Sequence, residues 1–271
     1  MSQLYLGGTD LSSAELKLGA TDATKAYLGA TEVWSAAAGI PVTTNGLIQY
    51  IDFNLGSWNG TSTLTDLSAN GKDATMQGAN LYGADDAGYG NWWDGNGASG
   101  NKLTYTEGTT PLWGAVTIQF WCAFTFFSGG SFNRLFSITN QSRCDLAPSG
   151  NNWAFHSWGE GMGNWNTSIG ALPAKDEVCM VTYSQIRHPA NTTDRAMYIY
   201  KNAGLVYERA ATNTLDTRLD AYGYSLGNRY GSNNQSNINR IGVYNFAFYE
   251  KMLTTAEIQA NFNAQKASFG L

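Results

Sequence analysis

The stretch from Asn237 to Lys266 reads NINRIGVYNFAFYEKMLTTAEIQANFNAQK, and its reading decides the fold. Residues 240–248 alternate at a period of two. Ile241, Val243 and Ala247 are expected on one face, and Tyr244, Phe246 and Phe248 on the other. Neither set is polar, so the strand is expected to be covered on both sides. The period then changes. Thr254 and Glu257 form a T-x-x-E capping box, and Leu253 with Ile258 takes the N′ and N4 positions of a hydrophobic staple. Ile258 and Phe262 follow at helical spacing. Lys266 is expected in the last turn, where the helix dipole favours a cation. One strand running into one capped helix therefore closes the chain.

Composition sets the frame around that element. The chain has 271 residues, 43% hydrophobic and 14% charged, with 31 glycines and 13% aromatics. Such a length allows one large β domain with a small appendage, which buries about 70–75% of its unfolded surface. Turn-rich, aromatic-rich and charge-poor composition favours an all-β fold. The net charge is −5. No run of Lys and Arg occurs, so binding to nucleic-acid phosphates is not expected. The N-terminus lacks the basic and apolar regions of a secretion signal, and no apolar run approaches the ~20 residues that span a bilayer. The expectation is a soluble chain made in a cytoplasm, with no membrane insertion. Cys122, Cys144 and Cys179 show no C-x-x-C spacing. Cys122 and Cys179 lie in apolar runs and read as small buried hydrophobes.

Residues 4–35 hold a short repeat. Leu4-Tyr5-Leu6-Gly7-Gly8-Thr9-Asp10 is echoed by Leu16-Lys17-Leu18-Gly19-Ala20-Thr21-Asp22. It recurs as Ala26-Tyr27-Leu28-Gly29-Ala30-Thr31-Glu32, which runs on into Val33-Trp34-Ser35. Each copy reads as strand, Gly turn, strand. Such short pairs bury no core of their own. They read either as an ordinary N-terminal hairpin or as an arm, residues 1–40, that docks or oligomerises through Tyr5, Leu6, Leu18, Tyr27, Leu28 and Trp34. Residues 36–44 read as the linker, and residues 41–271 as the main domain.

The main domain shows strand-like runs between Gly, Asn and Ser turns. They are 46–54, 115–127, 134–139, 153–158, 177–184, 195–201 and 205–212. Asn70-Gly71 carries a type I′ turn signal, and Asn202-Ala203-Gly204 reads as a tight hairpin. Short strands with no helices between them predict an antiparallel two-sheet sandwich.

The order of these motifs resembles a known family. GLIQYIDFN, LTDLSANGKDATMQG, WWDGNG, VTIQFWCAF, MYIYKNAGLV and the closing FYEKMLTTAEIQANFNA are similar to the concanavalin A-like, laminin G-type lectin and glucanase fold, from about Gly46 to Lys266. The closing motif departs from the usual Y-N-R-A-L, with Glu250, Lys251 and Met252 in the middle positions. The resemblance implies an all-β jelly-roll sandwich with a short C-terminal helix. The subtype resembles laminin G-like modules of tailed-bacteriophage virion proteins, and the Y-L-G-A-T-E-V-W repeat is similar to repeats of phage structural proteins. This implies an accessory virion protein, on a capsid, tail or fibre, in the virion once assembled. Its implied partners are other virion proteins, through the arm, and cell-surface glycans. A homo-oligomer is expected. A free lectin and, less favoured, a glycoside hydrolase are the alternatives.

Catalysis is not expected. Retaining glucanases need carboxylates on one strand face, about 5–5.5 Å apart, as in E-x-D-x-x-E. No such motif occurs. Asp85-Asp86 and Asp176-Glu177 are adjacent and would face opposite ways. No cofactor is expected. A structural Ca²⁺ is the one metal considered but not expected; Asp52, Asp66, Asp73, Asp94 and Asn96 could supply its oxygens, Asp66 and Asp94 foremost, and turn formation is the favoured role of such residues. For Asp66 the competing reading is an Asx turn with Ser68. Glycan binding needs aromatic faces beside amides and hydroxyls. The residues that fit are Trp92, Trp158, Trp165, Tyr224, Tyr230 and Asn228, with Trp158 and Trp165 the preferred exposed pair, since most Trp residues of a sandwich belong to its core or sheet faces.

Overall fold

A computed structural model describes residues 5–6, 9–10, 17–18, 21–22, 25–28, 31–35, 41–58, 60–77, 81–84, 88–94, 102–106, 115–126, 136–138, 143–149, 152–158, 165–171, 176–186, 196–210, 223–226 and 240–271. The chain divides into two units, Met1–Ile40 and Pro41–Leu271. The first holds three antiparallel pairs, one per repeat copy. They are β1 (Tyr5–Leu6) with β2 (Thr9–Asp10), β3 (Lys17–Leu18) with β4 (Thr21–Asp22), and β5 (Lys25–Leu28) with β6 (Thr31–Ser35). The side chains offered as the docking face lie outside the described residues.

The second unit is a sandwich of two antiparallel sheets. Its strands are β7 (Leu47–Asp52), β8 (Thr63–Leu64), β9 (Ala74–Gln77), β10 (Leu81–Ala84), β11 (Asn91–Asp94), β12 (Lys102–Thr106), β13 (Ala115–Phe126), β14 (Phe136–Ile138), β15 (Arg143–Ser149), β16 (Asn152–Trp158), β17 (Trp165–Ala171), β18 (Val178–Ile186), β19 (Ala196–Lys201), β20 (Gly204–Ala210), β21 (Gly223–Leu226) and β22 (Arg240–Tyr249). One sheet runs β10-β11-β22-β13-β18-β19-β20, and β7 joins it by pairing with β22. The other runs β17-β16-β15-β14-β21-β12-β9-β8. The chain closes with α1 (Thr255–Gln265) and a 3₁₀ turn, Lys266–Phe269. No helix among the described residues is long and apolar enough to cross a membrane.

The inner faces of the sheets make the main core. Ile51, Phe120, Val181 and Phe246 from the first sheet meet Leu103, Tyr105, Tyr224 and Leu226 from the second. A second apolar layer lies on the outer face of the first sheet, built from Tyr50, Trp121, Tyr244 and Tyr249 against Leu253, Ile258 and Phe269. β22 is thus covered on both faces, as its two apolar sets predict. The sets themselves differ from a simple alternation. Ile241 and Val243 share the inner face with Phe246 and Phe248, whereas Tyr244, Ala247 and Tyr249 face outward. The pairing with β13 slips between Trp121, opposite Asn245, and Cys122, opposite Val243. Tyr244 is the extra residue, and this bulge inverts the parity downstream.

The capping box is present. Glu257 N–H donates to Thr254 Oγ1 at 3.2 Å, and Thr254 N–H donates to Glu257 Oε2 at 2.8 Å. Leu253 and Ile258 are both buried, as a staple requires. Lys266 lies outside α1 as its C-cap, and its Nζ sits 5.6 Å from the Phe262 ring centroid. The helix docks through amides as well as apolar groups. Asn261 Nδ2 donates to Gln119 Oε1 (2.7 Å) and Tyr249 Oη (3.0 Å), and Trp121 Nε1 donates to Gln265 Oε1 (2.6 Å).

Two turns separate cleanly. Asn202 and Ala203, with φ of 49° and 63°, make the type I′ hairpin between β19 and β20. At Asn70-Gly71 only Gly71 has positive φ, so no type I′ hairpin forms there. That loop is instead held by Asp66.

Candidate functional site

The site grows from the end of β7. Asp52 is buried, and its Oδ1 accepts from Asn54 N–H (2.8 Å) and Leu55 N–H (3.1 Å). Tyr50 Oη–H donates to its Oδ2 at 2.7 Å, and Asn245 Nδ2 reaches the same oxygen at 3.4 Å. Burial pushes the Asp52 carboxyl above its ordinary value, against the pull of these hydrogen bonds. The carboxylate fixes a turn that presents Asn54 at the surface.

Asn54 then ties this turn to β11. Its Oδ1 accepts from Asn91 N–H at 2.6 Å, and its Nδ2 donates to Tyr89 O at 3.4 Å. The approach demands glycine at position 90, where φ is 112° and a Cβ would collide with the Asn54 amide. Along β11 the side chains alternate. Trp93 points into the core and is fully buried, while Trp92 points outward and is half-buried.

Trp92 packs against bare backbone. A Cβ on Gly242 would fall inside the Trp92 ring, so this seat exists only because β22 has glycine there. The indole also packs at 35° on Tyr244, with centroids 5.5 Å apart. Tyr89 meets Tyr244 edge-on at 6.3 Å and Phe269 at 6.1 Å. The result is a pair of half-buried rings, Tyr89 and Trp92, with the Asn54 amide bonded to the backbone at Tyr89 and Asn91. Half-buried aromatic rings beside an amide donor and acceptor suit a ligand with one apolar face and a hydroxylated rim.

The other expected residues do not join this surface. Tyr224 is corrected to the core. It is fully buried between the sheets, packs on Tyr105, Phe246 and Phe248, and donates its hydroxyl to Gln49 Oε1. Its alternation in β21 aims it inward, where no ligand reaches it. Trp158 ends β16 and Trp165 begins β17, two neighbouring strands in which Ser157 pairs with Trp165. β17 lies at the sheet edge beside β20, and β11 near the opposite edge of the other sheet. The backbone therefore places Trp158 and Trp165 apart from Trp92. Their side chains, and all of Asn228 and Tyr230, lie outside the described residues.

Asp66 takes the Asx-turn role rather than an open metal-ligand one. Its Oδ1 accepts from Tyr50 N–H and Ser68 N–H, both at 2.8 Å. Its Oδ2 accepts from Ser68 Oγ (2.7 Å) and Lys72 N–H (2.8 Å). Four donors use the carboxylate to organise the loop, as the Asx-turn reading has it. Asp94 pairs with Leu81 and Gly242 in the sheet, and its side chain lies outside the described residues. Among the described residues, no three His, Cys, Asp or Glu side chains converge as metal ligands would.

Tyr89, Asn54 and Asn91 escape the motif reading. The signal that could have found them is local: Gly88 and Gly90 bracket Tyr89 immediately before the Asn91-Trp92-Trp93 run, a spacing that permits close backbone approach.

No family model and no curated protein matches the chain. Solved structures do match. The receptor-binding domain of botulinum neurotoxin C/D mosaic serotype superposes with a TM-score of 0.60 at 15% identity, over 82% of this chain and 52% of that one. The binding domain of Paraclostridial Mosquitocidal Protein 1 gives 0.57 at 11% identity, over 82% and 52%. Domain 4 of the extracellular arabinanase AbnA of Geobacillus stearothermophilus, solved in complex with arabinotriose, gives 0.57 at 13% identity, over 79% and 97%. The chain thus spans about half the length of the toxin domains and nearly all of the arabinanase domain. At these identities the likeness establishes a shared β-sandwich fold.

Proposed function

We propose that the sandwich is a carbohydrate-binding, lectin-like module and that the Tyr89–Trp92 surface is its sugar platform. The observation that carries the reading is the seat of Trp92. Its indole is seated against Gly242 and stays half-exposed, on the surface where the Asn54 amide ties the end of β7 to β11. A pyranose or furanose ring stacks its C–H face on such an indole, while its hydroxyls meet the Asn54 amide. The shared fold supports this choice of ligand. Its relatives include an arabinanase domain solved with arabinotriose and a botulinum neurotoxin DC binding domain solved with SialylT.

The module binds and does not hydrolyse. Its sequence carries neither of the strand motifs, E-x-D-x-x-E and E-x-D-x-E, that pair the carboxylates of the glucanases of this fold. The absence of reducing-sugar release from β-glucans and arabinans is the corresponding expectation.

The finer reading concerns location. The three-hairpin unit of residues 1–40 is a docking arm, and the chain is an accessory, oligomeric protein of a tailed-phage virion that displays the lectin-like module. What supports this is the arm's repeat, which divides from the sandwich as a unit of its own.

A glycan array probed with the full chain tests the binding proposal. We expect a restricted set of oligosaccharides to bind and Trp92→Ala to lower that binding at least tenfold. Absence of binding to every glycan would contradict the proposal.

A further inference from the structure

Two of the three cysteines face each other in the middle of the main core. On β13 and β18, Cys122 is the direct cross-strand partner of Cys179. Both side chains are fully buried, and both belong to the inner-face core. Directly opposed residues of an antiparallel pair have Cα atoms about 4.5–5.5 Å apart, inside the span that a disulfide bridges. Side chains opposed in this way lie on the same sheet face, which brings the two thiols within side-chain reach of each other. Sequence spacing gives no hint of the pair, because it arises from the register of two long strands.

We propose that Cys122 and Cys179 form a latent cross-strand disulfide, closed when the chain folds under oxidising conditions and left as dithiol in a reducing cytoplasm. The oxidant is a low-molecular-weight disulfide such as glutathione disulfide. One cysteine thiolate attacks it, forming a mixed disulfide and releasing one glutathione thiolate. The second cysteine thiolate attacks the protein-bound sulfur and releases the other. The two thiol protons end on the two glutathiones, and two electrons pass from the cysteines to the oxidant.

Timing follows from burial. Desolvation, together with the hydrogen bond to Cys179, pushes the Cys122 thiol well above its ordinary value, so little thiolate exists once the sheets have closed. Exchange therefore belongs to the folding chain, and the finished core protects whichever state it traps. A loop of about 60 residues is closed by the bond, which constrains the unfolded chain substantially.

The test refolds the full chain from denaturant in a glutathione redox buffer and, in parallel, in excess reductant. Free thiols are alkylated after denaturing quench, and the peptides are mapped by mass spectrometry. The Cys122 and Cys179 peptides are expected to be joined in the oxidised sample, two hydrogens lighter than their sum, with Cys144 alkylated. The joined form is expected to melt about 5–15 °C above the reduced form. Alkylation of all three cysteines in the oxidised sample would overturn the proposal. So would a bond that includes Cys144, or a joined form that melts below the reduced one. If refolding yields no folded chain, the same peptide map is read on protein expressed in an oxidising compartment, with the same outcomes deciding.

Discussion

At position 242 the absence of a side chain is what builds the surface. β22 carries Gly242 between Ile241 and Val243, two residues that anchor the inner core. The vacancy on its outer side lets the Trp92 ring rest on backbone. Gly242→Ala is expected to lift Trp92 from this seat and to cost about 1–3 kcal/mol, as overpacking does. A lowered denaturation midpoint, together with a changed Trp emission spectrum and weaker glycan binding, would register both effects. An unchanged midpoint would show that the seat is not as tight as described. Residue type alone could not have sorted the aromatic candidates. Trp92 and Tyr224 both stand near Gly and polar residues in the sequence, yet one faces out and the other closes the core. What separates them is which face of which strand each occupies, and that depends on register.

The closing element shows the same limit at larger scale. Thr254, Glu257, Leu253 and Ile258 were legible because a cap and a staple are local, with every partner within five residues. The faces of β22 were not, because the bulge at Tyr244 answers to the partner strand β13. Nor was the polar seam beneath α1, where Thr117 and Gln119 alternate outward from β13 and are buried by the helix. Strands β15 and β17, with Pro148 in one and a polar WNTSIGA run in the other, also lacked an apolar period to announce them.

The cap carries a pH signature. The hydrogen bond from Lys251 Nζ, at 2.6 Å, holds the Glu257 carboxyl below its ordinary value. A depressed folded-state pKa contributes stability that is complete above the unfolded value. That contribution is lost as pH falls through the folded one. Asp52 runs the other way. Its raised value contributes stability that is complete at low pH and lost as pH rises. The total acid limb therefore mixes both, and a difference between variants isolates one. Glu257→Gln keeps an acceptor for the cap but removes the charge. It is expected to melt about 1–3 °C below the parent at neutral pH. That gap should close as pH falls below the ordinary Glu value of 4.5. A gap that is constant from pH 7 to 3 would show that the charge contributes nothing.

The chain divides into two units. The sandwich holds both apolar layers and the proposed sugar platform, and the hairpins of residues 1–40 form their own unit. On the proposed docking role, deleting residues 1–40 is expected to leave glycan binding intact while abolishing incorporation into phage particles. Particles that still take up the truncated chain would refute the docking role. The architecture was legible because it rests on coarse signals: short strands, many turns, few charges and one capped helix. The site was less so, because Asn54 and Asn91 lie 37 positions apart and meet only when β7 and β11 line up along one edge of β22.

The central claim is that sugar binds at Trp92, and one comparison tests it most directly. An oligosaccharide selected on the array is titrated against the parent chain, Trp92→Ala and Trp158→Ala. The account predicts at least a tenfold loss of affinity in Trp92→Ala and an unchanged affinity in Trp158→Ala. Full affinity in Trp92→Ala with loss in Trp158→Ala would contradict it and move the site to the β16–β17 edge.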